Sequence, residues 1–153
     1  MNMGKITILP AAPAMLDGMA ALERLCFSDP WSRESLAGAL QSPCGLWLCA
    51  YQGACLAGSL GAQVLFPEAE ILSVGVHPDF RRRGIARMLL SAFFARAVQV
   101  ERVYLEVRRS NTPAQALYAA FGFVACGVRR SYYEHPVEDA VLMSWTRPKE
   151  EIC

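Results

Sequence analysis

The spacing of apolar residues along the first half of the chain predicts two helices and four strands. Apolar residues that recur every three or four positions mark the helices, whereas alternation or a short continuous apolar run marks the strands. Ser32 is placed to cap the second helix, and the near-continuous apolar run of the fourth strand predicts that both its faces are covered. In order, these elements are a strand over 5–9, helices over 15–26 and 32–40, and strands over 46–51, 54–65 and 70–76.

The second half of the chain is predicted to hold two more helices and three more strands. An apolar stripe with a period of 3.6 residues predicts a helix that begins at Gly84. Thr112 as N-cap and Pro113 in the first turn predict the start of the next helix, and Gly122 is placed just beyond its end. The helices cover 84–100 and 112–121, the strands cover 103–107, 123–130 and 140–145, and the polar segment 131–139 is predicted to be a loop.

The order of these elements predicts one mixed α/β domain. It runs strand, two helices, three strands, helix, strand, helix and two strands, with no internal repeat, linker or low-complexity tract. A chain of 153 residues is long enough to bury a core and fits one domain. We therefore predict a single domain over residues 1–153.

Composition and charge exclude several classes of protein. An apolar share of 54% excludes disorder over most of the chain, and a net charge of +1 argues against a general nucleic-acid binder. We find no signal peptide and no apolar run of ~20 residues, so a cytoplasmic protein without a membrane partner is expected. Six cysteines without a Cys-x-x-Cys pair, together with only two histidines, argue against a metal site. Most of the thiols are predicted to be buried in a reducing compartment, with Cys153 exposed and free.

A basic turn (residues 81–86) follows the fourth predicted strand, with Arg81, Arg82 and Arg83 preceding Gly84. A helix that begins on this glycine presents unpaired backbone N–H groups at a positively polarised N-terminus. Such a helix end binds phosphate or pyrophosphate, and the arginines add positive charge. The basic turn is neither a Walker loop nor a Gly-x-Gly-x-x-Gly loop. Taken alone, it is equally consistent with a solvated basic loop.

The basic turn resembles the acyl-coenzyme-A-binding turn of the GCN5-related N-acetyltransferase (GNAT) family. A second block of that family, a strand followed by an asparagine and a helix that ends in Tyr-x-x-x-Gly-Phe, is similar to residues 104–123. The residues that carry the two matches are Arg81, Gly84 and Ala86 in the turn and Asn111, Tyr118, Gly122 and Phe123 in the second block. Many members have glycine where this chain has Ala86, but the backbone there requires only a small residue.

Further segments resemble one branch of the family, the bacterial ribosomal-protein-alanine N-acetyltransferases. These segments are Pro30-Trp31-Ser32, Leu105-Glu106-Val107-Arg108, 129–133 and Glu138-Asp139-Ala140. The similarity spans roughly residues 28–145. The loop over 134–137 is shorter than in the branch, which leaves the acceptor preference open.

The resemblance implies a GNAT-like mixed sheet of about seven strands, splayed between strands 4 and 5, with about four helices. It also implies acetyl-coenzyme A as co-substrate and no metal. The basic turn would hold the pyrophosphate, and the backbone of the splayed strand would pair with the pantetheine arm. The implied cofactor-binding residues are Val74, Gly75, Val76, Arg82, Arg83, Gly84, Ile85, Ala86, Arg87 and Asn111.

The resemblance further implies that Glu106 is the general base and that Tyr118 protonates the departing thiolate. From its spacing alone, Glu106 lies on the polar face of its strand with Tyr104 and Arg108, and could equally be paired with a nearby arginine. Tyr118 lies one position off the apolar stripe of its helix, and could instead cover a sheet edge with its hydroxyl in water. Asn111 is either a turn residue or a pantetheine contact.

Three aromatic residues in predicted loops, Trp31, Tyr132 and Tyr133, are the candidates for acceptor binding. They could equally be lids over the core. The resemblance implies direct transfer of the acetyl group to a protein N-terminal amine, that of the alanine of a small-subunit ribosomal protein. Three alternatives stay open: a lysine or small-molecule amine as acceptor, a module that binds acetyl-coenzyme A without turnover, and a ribosome-associated structural protein.

Overall fold

The structure, a computed structural model, describes residues 4–149 and is built around one seven-stranded sheet. The helices are α1 (Leu16–Cys26), α2 (Arg33–Gln41), α3 (Ile85–Arg96) and α4 (Thr112–Ala120). The strands are β1 (Ile6–Pro10), β2 (Gly45–Gln52), β3 (Cys55–Leu65), β4 (Glu68–Val76), β5 (Arg102–Arg108), β6 (Val124–Glu134) and β7 (Val137–Thr146). This is the predicted order of elements. No helix among the described residues is long and apolar enough to span a membrane.

The sheet is mixed and opens at its centre. Its strand order is β1-β2-β3-β4-β5-β7-β6, and β4 and β5 run parallel while the other neighbours run antiparallel. The paired residues of β4 and β5 extend only from Glu68 and Arg102 to Ile71 and Leu105. Beyond these pairs the two strands diverge, so the predicted splay between strands 4 and 5 is confirmed.

Helices cover both faces of the sheet around β4. Leu89, Leu90 and Phe93 of α3 are fully buried against one face, where Val74 of β4 joins the same apolar cluster. On the other face α1 and α2 pack, and a Cβ at Gly75 would lie 3.2 Å from Cys26 Sγ at the end of α1. The prediction that the fourth strand is covered on both faces is confirmed. Gly75 fits there because the helix end approaches its backbone closely.

Hydrogen bonds at the helix ends correct two predicted boundaries. Ser32 caps α2 as predicted, accepting from the Ser35 N–H at 3.0 Å. The cap of α4 is Asn111 and not Thr112, since the Asn111 side chain accepts from the Ala114 N–H at 3.2 Å. The helix α3 ends at Arg96 rather than at residue 100, because the apolar spacing continues through a turn after the helix.

The end of α4 follows the prediction. Gly122 has a φ of +100°. Its N–H donates to the Ala119 carbonyl and that of Phe123 donates to the Tyr118 carbonyl, which together form a Schellman motif.

The prediction of a loop over 131–139 is wrong. The strand β6 continues to Glu134 and β7 begins at Val137, so a tight turn replaces the loop. A register shift between Arg129 and Tyr133, with Ser131 at a φ of +50°, breaks the alternation that would have marked a strand. Because β6 is an edge strand with most residues exposed, its sequence is polar and resembles that of a loop.

The prediction that most thiols are buried is also wrong among the described cysteines. Only Cys49 of these is buried, whereas Cys26 and Cys44 are half-buried and Cys55 and Cys126 are exposed. Cys55 begins β3 directly after a turn, and Cys126 lies on the edge strand β6. At both places few side chains pack over the thiol, although the neighbouring residues in sequence are apolar. Cys153 lies outside the described residues.

Candidate active site

The divergence of β4 and β5 opens a cavity of about 300 Å³, here called the splay cavity. Both strands, the end of α1 and the start of α4 line it, so residues distant in sequence meet there. Of the predicted site residues, it brings together Trp31, Val74, Glu106, Asn111, Tyr118 and Tyr133. A second cavity of about 450 Å³, the outer cavity, shares the Trp31, Glu106 and Tyr133 wall and adds Tyr132. The two cavities therefore adjoin at Trp31, Glu106 and Tyr133.

The basic turn ends on the N-terminus of α3. Gly84 is the N-cap with a φ of +75°, and Arg82 has a φ of +66°, so the chain reverses tightly before the helix. The side chains of Arg82 and Arg83 are exposed, and the Arg83 guanidinium lies 5.1 Å from the centre of the Phe80 ring. No acidic residue lies in the first turn of α3. The turn thus presents N–H groups and positive charge to solvent, which suits an anion.

The next residues of α3 differ in what they can offer. The Ile85 side chain is buried in the core and Ala86 is half-buried, so their backbone N–H groups are the parts directed to an anion. Arg87 is exposed, with its guanidinium 5.9 Å from the centre of the Phe121 ring near the end of α4. It extends the positive surface from α3 towards α4.

The backbone of β4 beside the splay faces the gap left by β5. The N–H of His77 donates to the Ala57 carbonyl of β3 at 2.8 Å, so by strand alternation the backbone groups of Val74 and Val76 point the opposite way. The Val76 carbonyl accepts from the Cys26 thiol at 3.4 Å and from Arg81 Nε at 3.3 Å, consistent with that direction. This edge can accept an extended amide-bearing ligand as a further strand.

Glu106 lies on the polar face of β5, as predicted. Its side chain is 16% exposed, and its Oε1 lies 3.1 Å from Nε of Arg129 on β6. The carboxylate also raises the pKa of the Tyr132 hydroxyl, chiefly through a hydrogen bond. The alternative interpretation was that Glu106 pairs with an arginine. The structure shows that this pairing is present and that Glu106 also lines both cavities. Glu106 can therefore meet a cationic amine that enters from the outer cavity.

Tyr118 does not cover a sheet edge with its hydroxyl in water. It is buried against Phe123, with ring centres 5.8 Å apart, and lines the splay cavity. Burial, with a smaller contribution from Tyr133, raises the pKa of Tyr118 to about 12. The hydroxyl is consequently protonated throughout the neutral range and can act as a proton donor. Asn111 also lines this cavity while capping α4, so both interpretations of that residue are compatible with the structure.

The aromatic residues form the wall between the two cavities. Trp31 packs edge-on against Trp47 of β2, with ring centres 5.2 Å apart, and is half-buried. Tyr133 is half-buried beneath the Arg108 guanidinium, and burial raises the pKa of Tyr133 to about 12. Tyr132 is 47% exposed. Trp31 and Tyr133 are held in place, whereas Tyr132 is open to a binding partner.

Sequence reasoning missed Arg108 as the centre of a network beside the site. Its guanidinium pairs with Asp29 and with Glu138 at 3.2 Å each, and donates to the Pro136 carbonyl at 3.0 Å. His135 also contacts Asp29, with Nδ1 2.8 Å from Oδ1. The network ties the segment after α1 to the turn between β6 and β7. The resemblance to the family marked Arg108 and Glu138, but no spacing in the sequence places Asp29 beside them.

Glu23 was missed as well, although it is 2% exposed and lines the splay cavity. A signal was present: Glu23 follows Met19 by four positions and Ala20 by three, and both of those residues are buried. That spacing puts a carboxylate on the buried face of α1.

Known protein families and curated proteins match most of the chain. The acetyltransferase (GNAT) family profile matches residues 16–123. The [ribosomal protein bS18]-alanine N-acetyltransferase of Escherichia coli is 33% identical over 127 residues, which cover 80% of this chain and 85% of the relative. The N-alpha-acetyltransferase RimI of Mycobacterium tuberculosis is 37% identical over 146 residues, 90% of each chain.

Solved structures give the same result for the fold. The ribosomal-protein-S18-alanine N-acetyltransferase of E. coli superposes with a TM-score of 0.87 at 30% identity, over 97% of this chain and 99% of that one. Arabidopsis thaliana NAA60 in complex with acetyl-CoA shares the fold, with a TM-score of 0.85 at 20% identity over 93% and 98% of the chains. The profile match and the identity to these relatives show that the chain belongs to the GNAT family and is an N-acetyltransferase.

Proposed function

We propose that the protein transfers the acetyl group of acetyl-coenzyme A to the N-terminal α-amine of a protein, that of the alanine of a small-subunit ribosomal protein. The observation that carries the proposal is that Glu106 and Tyr118 both line the splay cavity, together with Trp31 and Tyr133 of the aromatic wall. The relative from Escherichia coli, 33% identical in sequence, bears the name of an S18-alanine N-acetyltransferase, and its solved structure shares the fold. Such an acceptor implies a cytoplasmic enzyme.

The cofactor side of the proposal depends on backbone groups. The basic turn would bind the pyrophosphate through the N–H groups of residues 84–87, with Arg82, Arg83 and Arg87 adding charge. The open edge of β4 at Val74 and Val76 would pair with the amides of the pantetheine arm, and Asn111 would lie beside it. Gly75 admits the close approach of the end of α1 to this edge.

Catalysis would combine positioning with two proton transfers. The acceptor nitrogen attacks the thioester carbon, so that a C–N bond forms and the C–S bond breaks. Glu106, directly or through water, takes the proton of the amine, and Tyr118 gives a proton to the departing sulfur. An α-amine has an ordinary pKa of ~7.7 to 8.0, so most of it is protonated at pH 7 and must lose a proton before it attacks. Holding amine and thioester together supplies the larger part of the acceleration.

The acceptor would reach Glu106 through the outer cavity. Trp31 and Tyr133 form its fixed wall, and Tyr132 is exposed at its mouth. The lining also carries the carboxylates of Glu70 and Glu134, which favour a cationic amine over an anionic ligand.

A peptide acetylation assay tests this function. The protein is incubated with acetyl-coenzyme A and either an alanine-starting peptide or its N-terminally blocked counterpart with an internal lysine. We expect a mass gain on the α-amine of the first peptide and none on the second. Acetylation of the lysine alone, with a rate that keeps rising towards pH 10, would instead identify a lysine acetyltransferase, since a lysine amine has a pKa of ~10.4. Tight acetyl-coenzyme A binding without product on any peptide would favour a binding module.

A further inference from the structure

A buried carboxylate that the catalytic scheme does not use lies between the two halves of the site. Glu23 is on α1, is 2% exposed and lines the splay cavity. Each of its oxygens accepts a hydrogen bond: Oε1 from the backbone N–H of Trp31 at 2.9 Å, and Oε2 from the Ser73 hydroxyl at 2.7 Å. Burial raises the pKa of Glu23, and the two hydrogen bonds oppose that rise.

The two donors belong to opposite sides of the reaction. Trp31 is part of the aromatic wall through which the acceptor would enter, and its ring is already fixed against Trp47. Ser73 belongs to the splayed part of β4, next to Val74, whose backbone would pair with the pantetheine arm. One carboxylate therefore connects the acceptor wall to the cofactor strand across the sequence separation of 50 residues between Glu23 and Ser73.

The chemistry of this contact favours orientation over simple stability. A buried carboxylate is costly to desolvate, and an apolar side chain of similar volume is often as stabilising or more so. Hydrogen bonds add what an apolar side chain cannot, a fixed direction for each donor. Glu106 lines the outer cavity through which the amine would enter, whereas Glu23 does not, so Glu23 is poorly placed to take a proton from an incoming amine.

We propose that Glu23 is a positioning residue for acetyl transfer, which holds Trp31 and the splayed strand β4 in the arrangement that receives the acceptor. This inference rests on the proposed function. Glu23→Met keeps a side chain of similar length and removes both acceptors, so the Trp31 N–H and the Ser73 hydroxyl both lose their partner. Glu23→Gln can keep both contacts, because its amide oxygen accepts from the Trp31 N–H and its NH₂ group donates to the Ser73 hydroxyl. Ser73→Ala removes only the hydroxyl donor and leaves the bond to Trp31 intact.

The test compares these three variants with the wild type and with Glu101→Gln, which removes an exposed carboxylate before β5. We expect Glu23→Gln to keep the KM for the peptide within about twofold of the wild type, since both contacts survive. We expect Glu23→Met to raise that KM about fivefold or more, because the competent arrangement is populated for a smaller fraction of the time. Its kcat should stay within about twofold and the pH profile of kcat should not move. Ser73→Ala should show a smaller rise in KM, and Glu101→Gln should show none.

Backbone hydrogen exchange supplies a readout independent of activity. The segment 28–32 should exchange faster in Glu23→Met than in the wild type, Glu23→Gln or Glu101→Gln, since only in Glu23→Met does the Trp31 N–H lose its acceptor. A fall in kcat with a shifted pH profile would overturn the proposal by making Glu23 a proton acceptor. Unchanged KM and unchanged exchange in Glu23→Met would overturn it too, and if Glu23→Met does not fold, an unchanged KM in Ser73→Ala decides against it. A wild type that acetylates no peptide refutes the proposed function, whereas an active wild type with unaltered variants refutes only the role of Glu23.

Discussion

Replacement of Tyr118 by phenylalanine isolates one oxygen atom of the candidate site. The ring is 8% exposed and packs against Phe123, so Tyr118→Phe keeps the packing and removes only the hydroxyl. Because the pKa of Tyr118 is raised to about 12, the hydroxyl is protonated from acidic pH to about pH 11 and is available as a donor in every turnover.

The expected loss follows from that role. General acid catalysis contributes about a hundredfold or more, so we expect kcat to fall about a hundredfold, equivalent to about 2.7 kcal/mol in the barrier. The KM values for acetyl-coenzyme A and peptide should stay within about twofold, since the hydroxyl acts on the leaving group in the transition state. The pH profile of the wild type should rise with deprotonation of the amine and show no fall from Tyr118 below about pH 11.

The assay quantifies acetylated peptide by mass spectrometry with both substrates saturating. Tyr51→Phe is the matched control, because Tyr51 packs in the cluster beneath α1 and α2 and lines neither cavity. The reasoning is refuted if Tyr118→Phe keeps kcat within threefold of the wild type, or if only a KM changes. Thermal melting of both variants checks that the fold is intact.

Three further predictions concern other parts of the structure. An added Cβ at Gly61 would overlap the buried Trp47 ring, so Gly61→Ala should cost about 1–3 kcal/mol in chemical denaturation. The control Gly38→Ala meets open space within α2 and should instead stabilise by about 0.5–1 kcal/mol. Gly84 has a φ of +75°, so Gly84→Ala strains the basic turn and should raise the KM for acetyl-coenzyme A more than that for peptide. Asp29 raises the pKa of His135, so their pairing stabilises the fold below about pH 6.5 and fades as pH rises through the raised pKa; His135→Ala should lower the Tm at pH 6 and leave it unchanged at pH 9.

The sequence was sufficient for the order of elements because each buried face imposes its own spacing. It failed where that constraint is weak. The strand β6 lies at the sheet edge with most residues exposed, Tyr132 and Glu134 among them. Its sequence therefore lacks the alternation of buried and exposed positions that would mark a strand. Asn111 and Thr112 are adjacent residues of cap type, and only the position of the Ala114 N–H decides between them.

The candidate site was predictable in part for a related reason. The basic turn, Glu106 and Tyr118 belong to short motifs, in which neighbouring residues carry the signal. Contacts across 50 or more residues, such as that of Glu23 with Ser73 or that of Arg108 with Asp29, depend on how the elements pack. No local spacing encodes those distances.

The short stretch of pairing between β4 and β5 has a consequence for how the protein can be studied. Four residue pairs join the half of the sheet that carries the basic turn to the half that carries Glu106. A ligand arm bound along the open edge of β4 would fill the gap between the two halves and hold them together. The free energy of binding would then add to the stability of the sheet. The melting temperature should then rise with the concentration of coenzyme A according to its affinity. Variants without any turnover could be ranked by that rise, which would separate damage to the chemistry from damage to binding.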